Sequence, residues 1–176
     1  FSGLAAAIEL RKRDIEYVIF ESADGIGGTW WKNRYPGAEV DLESHVYSFS
    51  FERSDWTRTH ASWDELQRYL EYTARKWGVT PNIRLNEKVE VVRWDDDSST
   101  WTLQTSSGED HGRFTAVISA VGFLNLPLYP PFARGETVFE GDLCHTSTWP
   151  EGLTMKGKSI GVLGTGSSAV QIVQEA

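Results

Sequence analysis

The chain has 176 residues and a mass of 19.8 kDa, room for one domain or pieces of two. Hydrophobic residues make up 40%, with 12% aromatic and eight tryptophans, which supplies a core and excludes a disordered or low-complexity segment. Seventeen basic against 25 acidic residues leave a net charge of -8, the wrong sign for a face that must neutralise phosphates, which argues against a nucleic-acid partner.

Residues 1–12 place Leu4, Ile8 and alanines on one side and Glu9, Arg11 and Lys12 on the other, the periodicity of a short packed helix. The run Glu16 to Glu21 is β-branched and aromatic and predicts a buried strand, so the two together read as half of a parallel βαβ unit. Residues 22–43 are rich in breakers (Gly25, Gly27, Gly28, Pro36, Gly37) and too long for a mere connection, which marks a functional loop. Ser62 to Glu65 has the form of a capping box, and Trp63, Leu66, Leu70 and Trp77 recur at helical spacing until Gly78. Three strand-like runs, 87–94, 100–105 and 112–119, predict an antiparallel meander. After a proline-containing stretch, residues 158–163 predict a new buried strand feeding a glycine turn and a last helix, a weak echo of the chain's opening.

The lone cysteine, Cys144, allows no internal disulfide, no redox dithiol and no zinc cluster, which points to the reducing cytoplasm. With no apolar run of about 18 residues and no basic stretch before an apolar one, neither a membrane span nor a signal peptide is expected. The chain opens without Met inside one helix and closes inside another, and we read it as a fragment truncated at both ends.

The strongest motif is Gly164-Thr165-Gly166-Ser167-Ser168-Ala169, a GxGxxA between a predicted strand and a predicted helix. Its first glycine would make the tight turn, its second would let the backbone approach a pyrophosphate, and the helix N-terminus would offer N–H groups to that anion. Gln171 lies one turn further on. The competing reading is an ordinary strand-to-helix turn. At the other end Gly3 reads as the third glycine of a first fingerprint, and Glu21, eighteen positions later, stands where a carboxylate accepts from ribose hydroxyls; alone it would be a solvated strand end.

Beyond these signals, Gly27-Gly28-Thr29-Trp30, Asn33-Arg34-Tyr35-Pro36-Gly37 and Asp41-Leu42-Glu43-Ser44 precede Phe139-x-Gly141-x-x-x-His145-x-x-x-Trp149-Pro150, five set positions over twelve residues. In these motifs the chain resembles the Baeyer-Villiger monooxygenases, a class of flavin-dependent monooxygenases. The resemblance implies an α/β fold of two Rossmann-like dinucleotide-binding domains carrying the meander. It implies an FAD domain over residues 1–138 without its first strand and first two glycines, a fingerprint linker over 139–155, and the start of an NADPH domain over 156–176. By the same resemblance Gly3 and Glu21 hold the ADP moiety of FAD, and Gly28, Thr29, Trp30, Asp41 and Tyr47 lie along the flavin. Gly164, Thr165, Gly166, Ser167, Ser168 and Gln171 contact NADPH. Gly122, in Ala120-Val121-Gly122, stands where the family has Ala-Thr-Gly, and Val121 lacks the hydroxyl. Phe139, Gly141, His145 and Trp149 would couple cofactor binding to domain movement.

The implied reaction inserts one oxygen atom of O2 beside the carbonyl of a small-molecule ketone, giving an ester or lactone through a C4a-peroxyflavin. Such a site must exclude water and stabilise developing charge with fixed groups. Asp41 is the implied catalytic residue, pairing with an arginine downstream; the alternative for it is a turn-capping aspartate beside Pro36-Gly37. His145 reads as a largely structural residue. The remaining histidines, His45, His60 and His111, show no metal-ligand spacing, so no metal is expected. No GxSxG elbow is present, and a disulfide reductase would need two cysteines. Two alternatives stay open: an N- or S-oxygenating flavin monooxygenase, whose fingerprint usually ends in Phe or Tyr where this chain has Trp149, and a non-catalytic nucleotide-binding remnant.

Overall fold

A computed structural model describes residues 1–133 and 139–176. Its elements run α1 (Ser2–Arg11), β1 (Ile19–Phe20), α2 (Thr29–Lys32), α3 (Trp63–Lys76), β2 (Ile83–Arg84), β3 (Val89–Asp95), β4 (Thr100–Thr105), β5 (Arg113–Phe114) and α4 (Ser167–Glu175). The chain forms two compact units, Phe1–Gly28 with Leu70–Gly122, and Thr29–Tyr69 with Phe123–Ala176, the division falling inside α3. The expected end of the FAD domain, residue 138, lies outside the described residues.

In the first unit α1 buries Leu4, Ala7 and Ile8, and the second half of α3 buries Leu70, Thr73 and Ala74. β1 pairs with β2 in parallel, Ile19 opposite Ile83 and Phe20 opposite Arg84, and the ladder continues through Glu21 N–H to the Arg84 carbonyl at 2.9 Å. β2 is too short and too polar at Arg84 to announce itself in sequence. The expected meander forms as an antiparallel sheet in the order β3-β4-β5, with Trp94 opposite Trp101 and an irregularity between Val89 and Val91. Its last strand stops at Phe114, short of the expected Ser119. Beyond it Ile118 and Val121 are exposed, and residues 158–163 likewise form no strand, leaving Ile160 and Leu163 exposed. An apolar run marks a segment suited to a sheet, but a strand exists only where a neighbour completes its ladder.

In the second unit Ala38, Tyr35, Met155 and Ile172 form a buried cluster, with Trp63, Trp149 and Val162 packed on it. The segment after Gly37 pairs with the residues before α3: Val40 N–H donates to the Ala61 carbonyl at 3.0 Å and Trp63 N–H to that of Ala38 at 2.9 Å. Ser62 does head α3, its carbonyl accepting from Leu66 N–H. Glu65, however, does not close a capping box. Its carboxylate accepts from Thr57 N–H at 2.9 Å and the Thr57 hydroxyl at 3.0 Å, a loop contact that outcompetes the local one. Among the described residues no helix is long and apolar enough to cross a membrane.

Candidate functional site

Two positive-φ glycines, Gly27 at 141° and Gly28 at 58°, turn the chain from the first unit into α2. A Cβ on Gly28 would meet nothing within 4 Å, so this glycine serves backbone conformation in an open place. In the second unit Trp30 is buried at the start of α2. Its indole N–H donates to the Tyr47 hydroxyl at 3.2 Å, the rings edge to face at 5.7 Å. Thr29, exposed, offers its carbonyl to the Asn33 amide, and Arg34 lies over the Trp31 ring at 4.4 Å. Asp41 is exposed just past the bridge to the α3 loop.

α4 opens on the glycine turn. Gly164 has φ 131°, a Cβ on Gly161, Gly164 or Gly166 would meet nothing within 4 Å, and the extended Gly166 leaves the helix without a side-chain cap. Its first N–H groups therefore remain open to an anion. The loop 35–41 lies along this helix. The Ser167 hydroxyl donates to Asp41 Oδ2 at 2.8 Å. The Tyr35 hydroxyl sits 3.0 Å from Ser168 Oγ and 2.7 Å from Gln171 Oε1, and Gln171 Nε2 donates to the Glu39 carbonyl at 2.9 Å. Gln171 is 7% exposed and Tyr35 5%, so this polar chain is largely removed from water. Burial pushes the Tyr35 phenol above its ordinary value, and the Asp41 and Glu39 charges add to that against the Ser168 hydrogen bond. The group thus remains a proton donor across the neutral range.

The fingerprint residues have separate local tasks. A Cβ on Gly141 would fall 2.7 Å from the Phe139 ring, which explains their two-residue spacing. His145 caps a 3-10 turn over Thr146–Thr148, its Nδ1 accepting from Ser147 N–H at 3.1 Å while its own N–H donates to the Tyr129 hydroxyl at 3.1 Å. Trp149 donates to the Leu153 carbonyl at 3.3 Å and packs on the cluster that holds Ile172 of α4. Cys144, which precedes His145, is half-buried, and burial followed by the Asp142 charge raises its thiol, which makes it a poor nucleophile.

In the first unit Glu21 follows β1, and its Oε1 accepts from Ala23 N–H at 2.9 Å. A Cβ on Gly3 would lie 3.8 Å from that of Ala120, an ordinary contact, and Gly122 has φ 72° with open space around it. The fold therefore brings Asp41 to Ser167, Tyr35 to Ser168 and Gln171, Trp30 to Tyr47, and Phe139 to Gly141, while Gly3, Glu21, Gly28 and Gly122 belong to the other unit.

Several polar nodes escaped sequence reading. Ser44, fully buried, donates to the Thr59 carbonyl and accepts from Ala61 N–H, both at 2.8 Å. Tyr69 accepts from Phe49 N–H at 2.8 Å and donates to the Glu52 carbonyl at 2.7 Å. In the first unit Glu87 Oε1 accepts from the Ser107 hydroxyl at 2.6 Å and from that of Thr105 at 3.0 Å, and lies 2.6 Å from His111 Nε2. The Ser107 bond first, then Thr105 and His111, holds its carboxyl below the usual range. Glu109 completes a group whose ligand atoms lie within 4.8 Å of one another, which linear spacing did not reveal. Glu87 and His111 already engage each other there. A hydroxyl or carboxylate matched by distant backbone has no periodic signature.

Comparison with known proteins follows the same outline. Residues 1–66 match the NAD(P)-binding Rossmann-like domain, and residues 43–176 match the L-lysine 6-monooxygenase/L-ornithine 5-monooxygenase family. A Baeyer-Villiger monooxygenase of Pseudomonas aeruginosa is 41% identical over 99% of this chain, which covers 33% of that protein. A phenazine N-monooxygenase of Lysobacter antibioticus is 36% identical over 98% of the chain and 33% of its own length. The solved structure of an oxidized steroid monooxygenase bound to NADP superposes with a TM-score of 0.88 at 35% identity, over 98% of this chain and 34% of that one. The chain thus spans about a third of the relatives it matches. By the match over residues 43–176 the chain belongs to the L-lysine 6-monooxygenase/L-ornithine 5-monooxygenase family, and the relatives it is similar to include Baeyer-Villiger monooxygenases.

Proposed function

We propose that the chain is the nucleotide-binding portion of an FAD- and NADPH-dependent Baeyer-Villiger monooxygenase, an enzyme that uses O2 to convert a ketone into an ester or lactone. The observation that carries this reading is the α4 end, where open glycines and an uncapped helix face a loop presenting Asp41. The residues present fit a dinucleotide: Gly164 makes the turn at φ 131°, the space around Gly164 and Gly166 is open, and the first N–H groups of α4 have no side-chain cap. Gly164, Thr165, Gly166, Ser167, Ser168 and Gln171 form that end and would receive NADPH. Glu21, with Gly3 before it, would hold the ADP part of FAD. Gly28, Thr29, Trp30 and Tyr47 would flank the flavin, and Gly122 would lie near the crossing between the domains.

Bound together, NADPH would supply hydride and FAD would pass those electrons to O2, the source of the oxygen atom. The chain's own contribution is to orient them and to keep charge fixed. Asp41 would place an arginine supplied by the rest of the protein, and the bond from Ser167 restrains the carboxylate for that task. The domain limits 1–138, 139–155 and 156–176 belong to this reading, with Phe139, Gly141, His145 and Trp149 as the linker that transmits movement. A cytoplasmic setting accords with the single cysteine.

A second reading, N-oxygenation, is favoured by the phenazine N-monooxygenase among the relatives. The full-length enzyme, loaded with FAD and given NADPH, O2 and either a panel of cyclic and linear ketones or aromatic N-heterocycles, separates them by mass spectrometry of the products. Esters or lactones are expected. N-oxides with no ester would replace the first reading by the second.

A further inference from the structure

Hydrogen positions at the α4 end follow from counting donors and acceptors. The Glu39 carbonyl only accepts, so the Gln171 amide turns Nε2 toward it and Oε1 toward Tyr35. Oε1 also only accepts, and it takes the single phenolic proton of Tyr35. The 3.0 Å contact between Tyr35 and Ser168 then requires the Ser168 proton, as the Asp41 carboxylate requires that of Ser167. Both serine hydroxyls of the glycine turn therefore direct their protons into the protein, leaving only lone pairs toward a ligand.

A pyrophosphate is itself all acceptor, so a hydroxyl whose proton is committed elsewhere has nothing to offer it. We propose that Ser167 and Ser168 are positioning residues whose hydroxyl protons hold the 35–41 loop on α4, and that the backbone N–H groups of the turn bind the dinucleotide. Ser167 orients the Asp41 carboxylate. Ser168 heads a proton-ordered chain through Tyr35 and Gln171 to the Glu39 carbonyl, whose two middle members are almost wholly buried. In such surroundings each bond polarises the next, and losing one member is felt along the line. Gly37 lets the loop come this close, since a Cβ there would fall 2.9 Å from the Gln171 carbonyl oxygen. The inference rests on the nucleotide-binding reading above.

The test uses the full-length flavoprotein and two cycles of variants. Without NADP+, thermal unfolding followed by flavin fluorescence is expected to fall by about 2 to 4 °C for Tyr35→Phe, and Ser168→Ala in that background is expected to add nothing. In NADP+ titrations read by the flavin spectrum, Ser168→Ala and Tyr35→Phe weaken binding by the same factor, and Ser168→Thr restores it. Ser167→Ala has no further effect on that affinity once Asp41 is replaced by Ala. The proposal is overturned if Ser168→Ala weakens NADP+ binding roughly tenfold or more even in the Tyr35→Phe background, the mark of a hydroxyl donating to phosphate. Additive losses in the thermal cycle would overturn it equally. If the unmodified protein binds no NADP+, the nucleotide reading falls, and the ligand-free cycle still decides whether Ser168 and Tyr35 are bonded to one another.

Discussion

Gly37 and Gln171 meet so closely that a methyl group cannot pass between them: a Cβ on Gly37 would stand 2.9 Å from the Gln171 carbonyl oxygen and 2.7 Å from Glu175 Cγ. Gly37 also has φ 78°, where an L side chain is strained. Gly37→Ala is therefore expected to cost about 2 to 4 kcal/mol, combining backbone strain with overpacking. Because the loop carries Asp41, NADP+ affinity should fall with stability. Denaturant unfolding and an NADP+ titration on the same variant check both, and an unchanged midpoint would refute the close approach.

Ser44 lies within the Asp-Leu-Glu-Ser motif, yet its hydroxyl faces inward. Ser44→Ala leaves the Thr59 carbonyl bonded to Ser44 N–H at 2.7 Å but strips the buried Ala61 N–H of its acceptor. The expected loss is about 1 to 3 kcal/mol, the cost of one unsatisfied buried donor. Chemical denaturation measures it, and amide exchange at Ala61 should accelerate more than at residues of α4.

The meander carries a pH-dependent clasp. Arg113 donates to Asp95 Oδ2 at 2.6 Å, and that bond, with those from Ser98 and Asp97, lowers the Asp95 carboxyl to about 2 from an ordinary 3.8. A carboxyl depressed in the folded state stabilises above its unfolded value and loses that contribution as pH falls through the folded one. Between about pH 4 and pH 2 the native sheet is expected to weaken, and Asp95→Asn to flatten this part of the profile. Both are read from unfolding midpoints across that range. Salt should reduce the difference, since the pair is exposed.

Asp41 offers the direct test of the catalytic proposal. In the full-length enzyme Asp41→Ala is expected to lower ketone-dependent ester formation, counted per bound FAD, by roughly 100-fold, the scale of a misplaced catalytic partner. Product yield per NADPH consumed is the measurement. Undiminished ester formation would return Asp41 to the role of a turn residue.

Much of this molecule was legible in one dimension. Helical periodicity located α1 and α3, alternation and turn residues located the meander, and the glycine spacing located the start of α4, because each of these depends on neighbours within a few positions. The family motifs were equally local, and the Phe139 ring lies against Gly141, where a Cβ would fall 2.7 Å from it. What sequence could not set was which polar group finds which. Glu65 bonds Thr57 instead of closing its own cap, β5 pairs with β4 only at Arg113 and Phe114, and the Gln171 amide engages Tyr35 and Glu39 over more than 130 residues. Hydrogen bonds of this kind are directional and satisfied only by atoms that folding brings together, so they leave no period to read. Amino-acid order thus determined the segments and their chemistry. The tertiary structure alone decided that the hydroxyls of Ser167 and Ser168 meet Asp41 and Tyr35.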